Sequence, residues 1–283
     1  MAPRSSRPSI IVTVKYTALA LFALLWVILP LWLLVVNSFK PLSEAGSLSI
    51  SLPQTWQIIE NYTTVIERGN FLRGLGNSLV IAAPTIITVL LLGAAAAWAY
   101  ARSKSTLLKV TYYVATLTLL LPPALLPTIF LLKNLGIDGT RIGYLLVTIG
   151  TRLGGMVFLT TGFIRSLPID FEEAASIDGA SKIQIFIRII LPLVAPILFV
   201  NAILLMIGVW NEFFFASFLM PRNELMTLPL ALYRFSQTGA TFSAQNWHLI
   251  FAHVVLTSLP LLLIYVFGQR RIISSLAASG VKG

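Results

Sequence analysis

Uncharged apolar stretches alternate with short basic clusters along the whole chain. No charged residue falls between Tyr16 and Phe39 or between Gly74 and Ala101, and four further apolar stretches follow. A helix needs about 20 apolar residues to cross a bilayer. The pattern therefore predicts six spans, at about 16–39, 75–101, 110–132, 142–164, 189–211 and 249–268. The first exceeds the 7–15 apolar residues of a signal peptide and is expected to be retained. The predicted fold is an all-α integral membrane protein, with a tail at 1–15 and a single transmembrane domain over 16–283. Prolines mark the irregular points. Pro30 should kink the first span, Pro122-Pro123 should break the third, and Pro260 should break the sixth. Pro192 and Pro196 sit in the opening turns of the fifth, where proline costs least.

The connecting segments differ in character. Residues 40–73 form a polar loop with Pro41, Gly46 and Pro53, and a short surface helix is expected over Ile58 to Ile66. Residues 133–141 form a compact turn. The loop at 165–188 has helical content of its own. Ser166 and Pro168 suit a helix start, and Asp170, Glu172 and Glu173 fall in its first turn, where the helix dipole favours acids. Ala174 and Ala175 leave one face nearly bare, open to close approach by another backbone. Gly179 permits a sharp break. Beyond it Ile183, Phe186, Ile187 and Ile190 are expected on one helical face, with Lys182 and Arg188 on the polar side.

Composition excludes a soluble fold: 57% of the 283 residues are hydrophobic and 11% charged. The net charge of +10 is spread thinly between apolar runs, so it reads as membrane topology and not as a nucleic-acid surface. With six spans, twelve basic residues fall on one side: Arg4, Arg7, Lys15, Arg102, Lys104, Lys109, Arg165, Lys182, Arg188, Arg270, Arg271 and Lys282. Seven fall on the other: Lys40, Arg68, Arg73, Lys133, Arg141, Arg222 and Arg234. The bias places both termini and the 165–188 loop in the cytoplasm. Arg152 is left near the middle of the fourth span. A mid-membrane charge costs about 2.5–3.5 kcal/mol on insertion scales, so it should face the bundle interior or water, or snorkel to a surface.

Catalytic chemistry is hard to place. The chain has no Cys, and His248 and His253 are five residues apart, off a common helical face. One is expected at an interface and one packed. Without paired intramembrane carboxylates, neither an intramembrane enzyme nor an ion-coupled secondary transporter finds its usual groups; Glu212, at the end of a span, is the one carboxylate candidate.

Glu173-Ala174-Ala175, Gly179 and Ile189-Ile190-Leu191-Pro192, with three and nine residues between the blocks, match the signature loop of bacterial ABC importer permeases. Asn37-Ser38-Phe39-Lys40, Asn61-Tyr62, Asn77-Ser78-Leu79, Ala99-Tyr100-Ala101-Arg102, Trp210-Asn211-Glu212-Phe213 and Gly280-Val281-Lys282-Gly283 extend the likeness over nearly the whole chain. It resembles the second permease subunit of maltose-type carbohydrate importers, in the type I importer fold. Ser275 and Arg152 depart from the family pattern, the latter standing where a small residue is common. The resemblance implies a homologous first permease, two copies of a cytoplasmic ATPase that bind ATP and Mg²⁺, and an extracellular or periplasmic solute-binding protein. Partner ATPases would supply the hydrolysis, since no G-x-x-x-x-G-K-[ST] loop occurs here.

It further implies roles for particular residues. Glu172, Glu173, Ala174, Ala175, Asp178, Gly179, Leu191 and Pro192 would couple to the ATPase, and Gly280, Val281, Lys282 and Gly283 would reach between the ATPases. Gln237, Thr238, Gly239, Ala240 and Thr241 would meet the binding protein. Pro122, Pro123, Arg152, Trp210, Asn211, Glu212 and Phe213 are candidates for the substrate pathway. The expected cargo is a sugar or oligosaccharide. The alternative is a polar non-sugar or an anionic saccharide or polyol phosphate, for which Arg152 would be the counter-charge.

Overall fold

The structure, a computed structural model, describes residues 10–121, 124–237 and 246–280, with side chains described as far as 268 except at 10, 11 and 13. In chain order the helices are α1 (Ile10–Ala23), α2 (Leu29–Ser38), α3 (Leu42–Ala45), α4 (Ile58–Arg68), α5 (Phe71–Arg102), α6 (Thr106–Leu117) and α7 (Leu125–Asn134). Then come α8 (Arg141–Arg165), α9 (Asp170–Ile177), α10 (Lys182–Ile185), α11 (Leu191–Trp210), α12 (Phe214–Leu219), α13 (Leu228–Ser236) and α14 (Trp247–Gly280). No strand occurs among the described residues. Among the described residues five helical stretches are long and apolar enough to cross a membrane: Val14–Ser38, Phe71–Arg102, Arg141–Arg165, Lys182–Trp210 and Trp247–Gly268. The stretch read as a third span is divided between α6 and α7, and Pro122 and Pro123 lie outside the described residues.

The two prolines differ in effect: an irregular turn precedes Pro30, and Pro260 does not break its span as expected. Before Pro30 the helix does not break but widens into a π-turn, Leu24–Ile28, joining α1 to α2. One inserted residue absorbs the missing N–H and the ring's clash. α14 runs unbroken through Pro260, since a single lost ladder bond leaves the rest of a long helix intact.

By its contacts the chain forms two compact units. The first comprises Met1–Phe71 with Leu232–Ser258. Its polar centre is the end of α2. The Lys40 ammonium is 1% exposed and donates to Asn37 Oδ1 at 3.1 Å, Ser49 O at 2.8 Å and Ser49 Oγ at 3.0 Å. Burial pulls its pKa below the usual lysine value, partly opposed by the nearby Glu44 carboxylate. Asn61 of α4 donates to Ser38 O and Lys40 O, both at 2.9 Å, and Tyr62 OH meets Ser38 Oγ at 2.9 Å. The NSFK and Asn61-Tyr62 motifs thus form one network that folds the loop onto the end of α2. His253 is fully buried between the edges of Phe71 and Phe235, and His248 is half-buried.

The second unit comprises Leu72–Ala231 with Leu259–Gly283. At one end of α5, Asn77 Nδ2 donates to Glu224 O at 2.8 Å and Met226 O at 2.9 Å, and its Oδ1 accepts from Arg141 at 2.9 Å. Ser78 Oγ accepts from Leu228 N at 2.8 Å. These bonds satisfy an irregular backbone stretch before α13. α8 packs against α5, α6 and α11. It approaches α6 most closely at Gly154, where a Cβ would collide with the Thr118 hydroxyl and the Ala115 carbonyl. Gly150, one turn earlier on α8, has open space around its position. Gly154→Leu is therefore expected to cost about 1–3 kcal/mol by overpacking, lowering the thermal unfolding midpoint in detergent, with Gly150→Leu close to the parent. Equal midpoints would refute the close approach.

Candidate functional site

The 165–188 segment builds a short helix held against three others. Leaving α8, the chain turns at Ser166 and Leu167 and starts α9 at Asp170, so Ser166 and Pro168 precede the helix instead of opening it. Asp170, Glu172 and Glu173 occupy the first turn, at the positive end of the helix dipole. At the other end Ala180 N donates to Ala175 O at 3.0 Å and Gly179 N to Ser176 O at 3.1 Å, with Gly179 at φ +79°. That is a Schellman stop, and the left-handed residue it requires is the glycine. A capping box follows at once: Ser181 N donates to Gln184 Oε1 at 2.7 Å and Gln184 N to Ser181 Oγ at 3.4 Å. After α10 a π-turn, Phe186–Ile190, leads into α11.

The two adjacent acids of α9 face opposite ways. Glu173 is exposed, together with Ala174 and Asp178, and Ile177 is 86% exposed. Glu172 is buried. Its Oε1 accepts from Arg102 Nε at 2.8 Å and its Oε2 from Trp98 Nε1 at 2.8 Å, both from the end of α5. Arg102 Nη2 also donates to Leu167 O at 3.1 Å. Glu172 is thus not on the outward surface expected of it, because its carboxylate is satisfied within the chain. Ala175 is half-buried, against a core of Ala97, Ile164, Ile185, Ile190 and Val194. Beside the clamp lies a cleft of about 480 Å³, lined by Trp98, Arg102, Leu108, Glu173, Ser176 and Lys182 among others.

The apolar face beyond Gly179 differs from the expected one. Ile185 and Ile190 are buried and Phe186 and Ile189 half-buried, while Ile183 and Ile187 are exposed at 71% and 55%. The buried residues still follow regular i,i+4 spacing, 185 with 189 and 186 with 190, but on the side that meets the core of Ala97, Ile164 and Val194. Leu191 is half-buried and Pro192 exposed, both in the first turn of α11, away from α9.

Of the pathway candidates among the described residues, Arg152 reaches from α8 to α11, and Glu212, just past α11, is met by Tyr144 of α8. Arg152 Nη2 donates to Gly208 O at 2.9 Å, and a Cβ on Gly208 would stand 3.2 Å from Nη1. Glu212 Oε2 accepts from Tyr144 OH at 2.6 Å and from Ala216 N at 3.1 Å, and its Oε1 from Phe215 N at 2.8 Å. Glu212 is a cap for α12. Trp210 is 2% exposed, hence not an interfacial belt residue. Asn211 is exposed and donates to Ile207 O at 2.9 Å; Phe213 is half-buried. Gln237 is exposed after α13, and Thr238, Gly239, Ala240 and Thr241 lie outside the described residues. Gly280 ends α14, and Val281, Lys282 and Gly283 lie outside the described residues as well. Among the described residues no three His, Asp or Glu side chains converge as metal ligands.

Residues 89–277 match the family described as "Binding-protein-dependent transport system inner membrane component", which covers more than half of the chain, α9 included. The chain belongs to this permease family. The permease is 33% identical over 268 residues to the diacetylchitobiose uptake system permease protein NgcG of Streptomyces coelicolor (strain ATCC BAA-471 / A3(2) / M145), covering 93% of this chain and 87% of that one. It is 30% identical over 260 residues to the trehalose transport system permease protein SugB of Mycobacterium tuberculosis (strain CDC 1551 / Oshkosh), covering 91% and 93%. A crystal structure of a bacterial ABC transporter involved in the import of the acidic polysaccharide alginate contains a chain of the same fold. The TM-score is 0.80 at 21% identity, with 95% of this permease and 99% of that chain covered. The permease is therefore an all-α membrane protein with the type I ABC importer fold.

Trp98 and Tyr144 were not singled out from the sequence, and Arg102 was read there only as a basic residue at the end of a span and as part of a motif. Their partners lie 74, 70 and 68 residues away, beyond any local spacing rule. The capping box Ser181–Gln184 was legible as S-x-x-Q. Replacing Glu212 with Ala removes a carboxylate that holds one hydroxyl and two backbone N–H groups. Since hydrogen bonds to charged groups are worth about 1.5–3 kcal/mol, the variant should lose at least that much in detergent unfolding; an unchanged midpoint would refute the capping role.

Proposed function

We propose that this permease is the second of two homologous transmembrane subunits in an ATP-driven importer that moves a neutral saccharide or oligosaccharide inward by alternating access. An extracellular binding protein delivers the cargo, and two copies of a cytoplasmic ATPase close against α9. The observation that carries the coupling role is α9 itself, an acid-led helix ended by Gly179, which presents Glu173, Ala174 and Ile177 outward. ATP and Mg²⁺ are held by the ATPases, as this chain has no P-loop of its own. ATP binding supplies free energy that differs between the outward- and inward-open states, and α9 delivers it to the spans.

The twelve-to-seven distribution of basic residues supports cytoplasmic termini and a cytoplasmic α9. The saccharide cargo is supported by the diacetylchitobiose and trehalose permeases to which the chain is similar. Arg152 turned onto the Gly208 carbonyl favours a neutral cargo over an anionic one. Gln237 with Thr238–Thr241 would face the binding protein, and Gly280–Gly283 the ATPases. The exposed apolar flanks of α1 and α2 suit lipid or the first permease.

The complex is tested in liposomes with its co-encoded first permease, ATPase and binding protein, measuring ATP hydrolysis against neutral and acidic saccharides. Hydrolysis should rise only with binding protein and a neutral saccharide together. A response to acidic saccharides alone would replace the neutral cargo, and indifference to all of them would withdraw the sugar. Glu173→Lys should abolish transport while leaving much of the assembly intact, since breaking an interfacial charge pair costs about 2–5 kcal/mol. Normal transport in that variant would refute the coupling role.

A further inference from the structure

We infer that Glu172, Arg102 and Trp98 are positioning residues that carry the movement of α9 into span α5, so that the two move as one body. The inference rests on α9 being the element the ATPase moves. Of the two adjacent acids, one faces outward and one inward. Glu173 is left for a partner, and Glu172 is held on both oxygens, at 2.8 Å each, by side chains one turn apart on α5. Arg102 lies at the C-terminal end of α5 and Glu172 in the first turn of α9, so each charge also sits at the favourable pole of its own helix.

The node reaches further than a pair. Arg102 also holds the Leu167 carbonyl, in the turn between α8 and α9, at 3.1 Å. The Trp98 ring stacks on Phe186, in the π-turn leading to α11, with centroids 5.7 Å apart and planes at 24°. One tryptophan and one arginine therefore touch α9, the turn that follows α8 and the π-turn that precedes α11, all from α5. The flanking side chains are 18% and 11% exposed, so little water competes for the bonds. A lone staple between α9 and one neighbour would need none of the contacts to Leu167 and Phe186. A device that moves the helix ends together needs all of them.

The chain has no Cys, so Ser103→Cys, directly after the end of α5, and Ser176→Cys on α9 can be spin-labelled selectively in the full complex, with the partners' own thiols replaced. Dipolar coupling between the two labels is measured in liposomes without nucleotide and with ATP plus vanadate. A second distance, from Ser176→Cys to a label on the ATPase, reports whether α9 responds to nucleotide at all. With the clamp intact the 103–176 distance should stay the same in both states while the 176–ATPase distance changes. Glu172→Gln should make the 103–176 distance nucleotide-dependent, with a shift larger than the width of the parent distribution. Trp98→Phe, which deletes one donor and keeps the ring, should do so to a smaller degree, and Glu172→Asp should restore part of the parent behaviour. A 103–176 distance that shifts in the parent, or that stays fixed in both Glu172→Gln and Trp98→Phe, would overturn the clamp and leave the coupling role standing. A 176–ATPase distance indifferent to nucleotide would overturn the coupling role itself.

Discussion

A carboxylate held between an arginine and a tryptophan is what allows the 165–188 segment to be a structured element. α9 has eight residues, too few to be stable as an isolated helix. Phe171 and Ile177 point away from the core, at 54% and 86% exposure, so apolar burial holds only part of it. Its place comes from the Glu172 clamp, the Schellman stop at Gly179 and the half-buried Ala175 on the Ile164–Ile190 core.

Polar contacts recur between the spans because lipid supplies no hydrophobic drive for one apolar helix to prefer another. Along α8 they come at every eighth residue: Tyr144 to Glu212, Arg152 to Gly208 O, and Thr160 with Asn201 Nδ2 at 3.3 Å. Their partners, Glu212 just past α11 and Gly208 and Asn201 on it, descend in number as those on α8 rise, so the helices run antiparallel. Helical side chains lean toward the N-terminus, which brings the Arg152 guanidinium from mid-span to one turn below Glu212. The cost of a mid-span charge is reduced by the Gly208 carbonyl, and a Cβ at 208 would stand in tight contact with the guanidinium, 3.2 Å from Nη1.

Apolar periodicity was enough to read the membrane class and the long helices, and the acidic first turn with Gly179 was enough to read α9. What failed did so for identifiable reasons. The expected face of Ile183, Phe186, Ile187 and Ile190 was turned toward Ile185 and Ile189, because the core of Ala97, Ile164 and Val194 decides which side is buried. Pro260 was expected to interrupt α14, yet a long helix carries one missing bond. Glu172 and Glu173 look alike in the sequence; their opposite orientations follow from where α5 ends, which no local pattern states. The same holds for Glu212, whose donors come from Tyr144 on another helix and from the turn just after it.

The most direct test is photo-crosslinking from α9 in the assembled, membrane-embedded complex, with a benzophenone amino acid in place of Ile177, its most exposed large apolar side chain. Irradiation should join this chain covalently to the ATPase. Adducts only to lipid, or none with the ATPase present and active, would contradict the assignment of α9 as the point where ATP-derived work enters this chain.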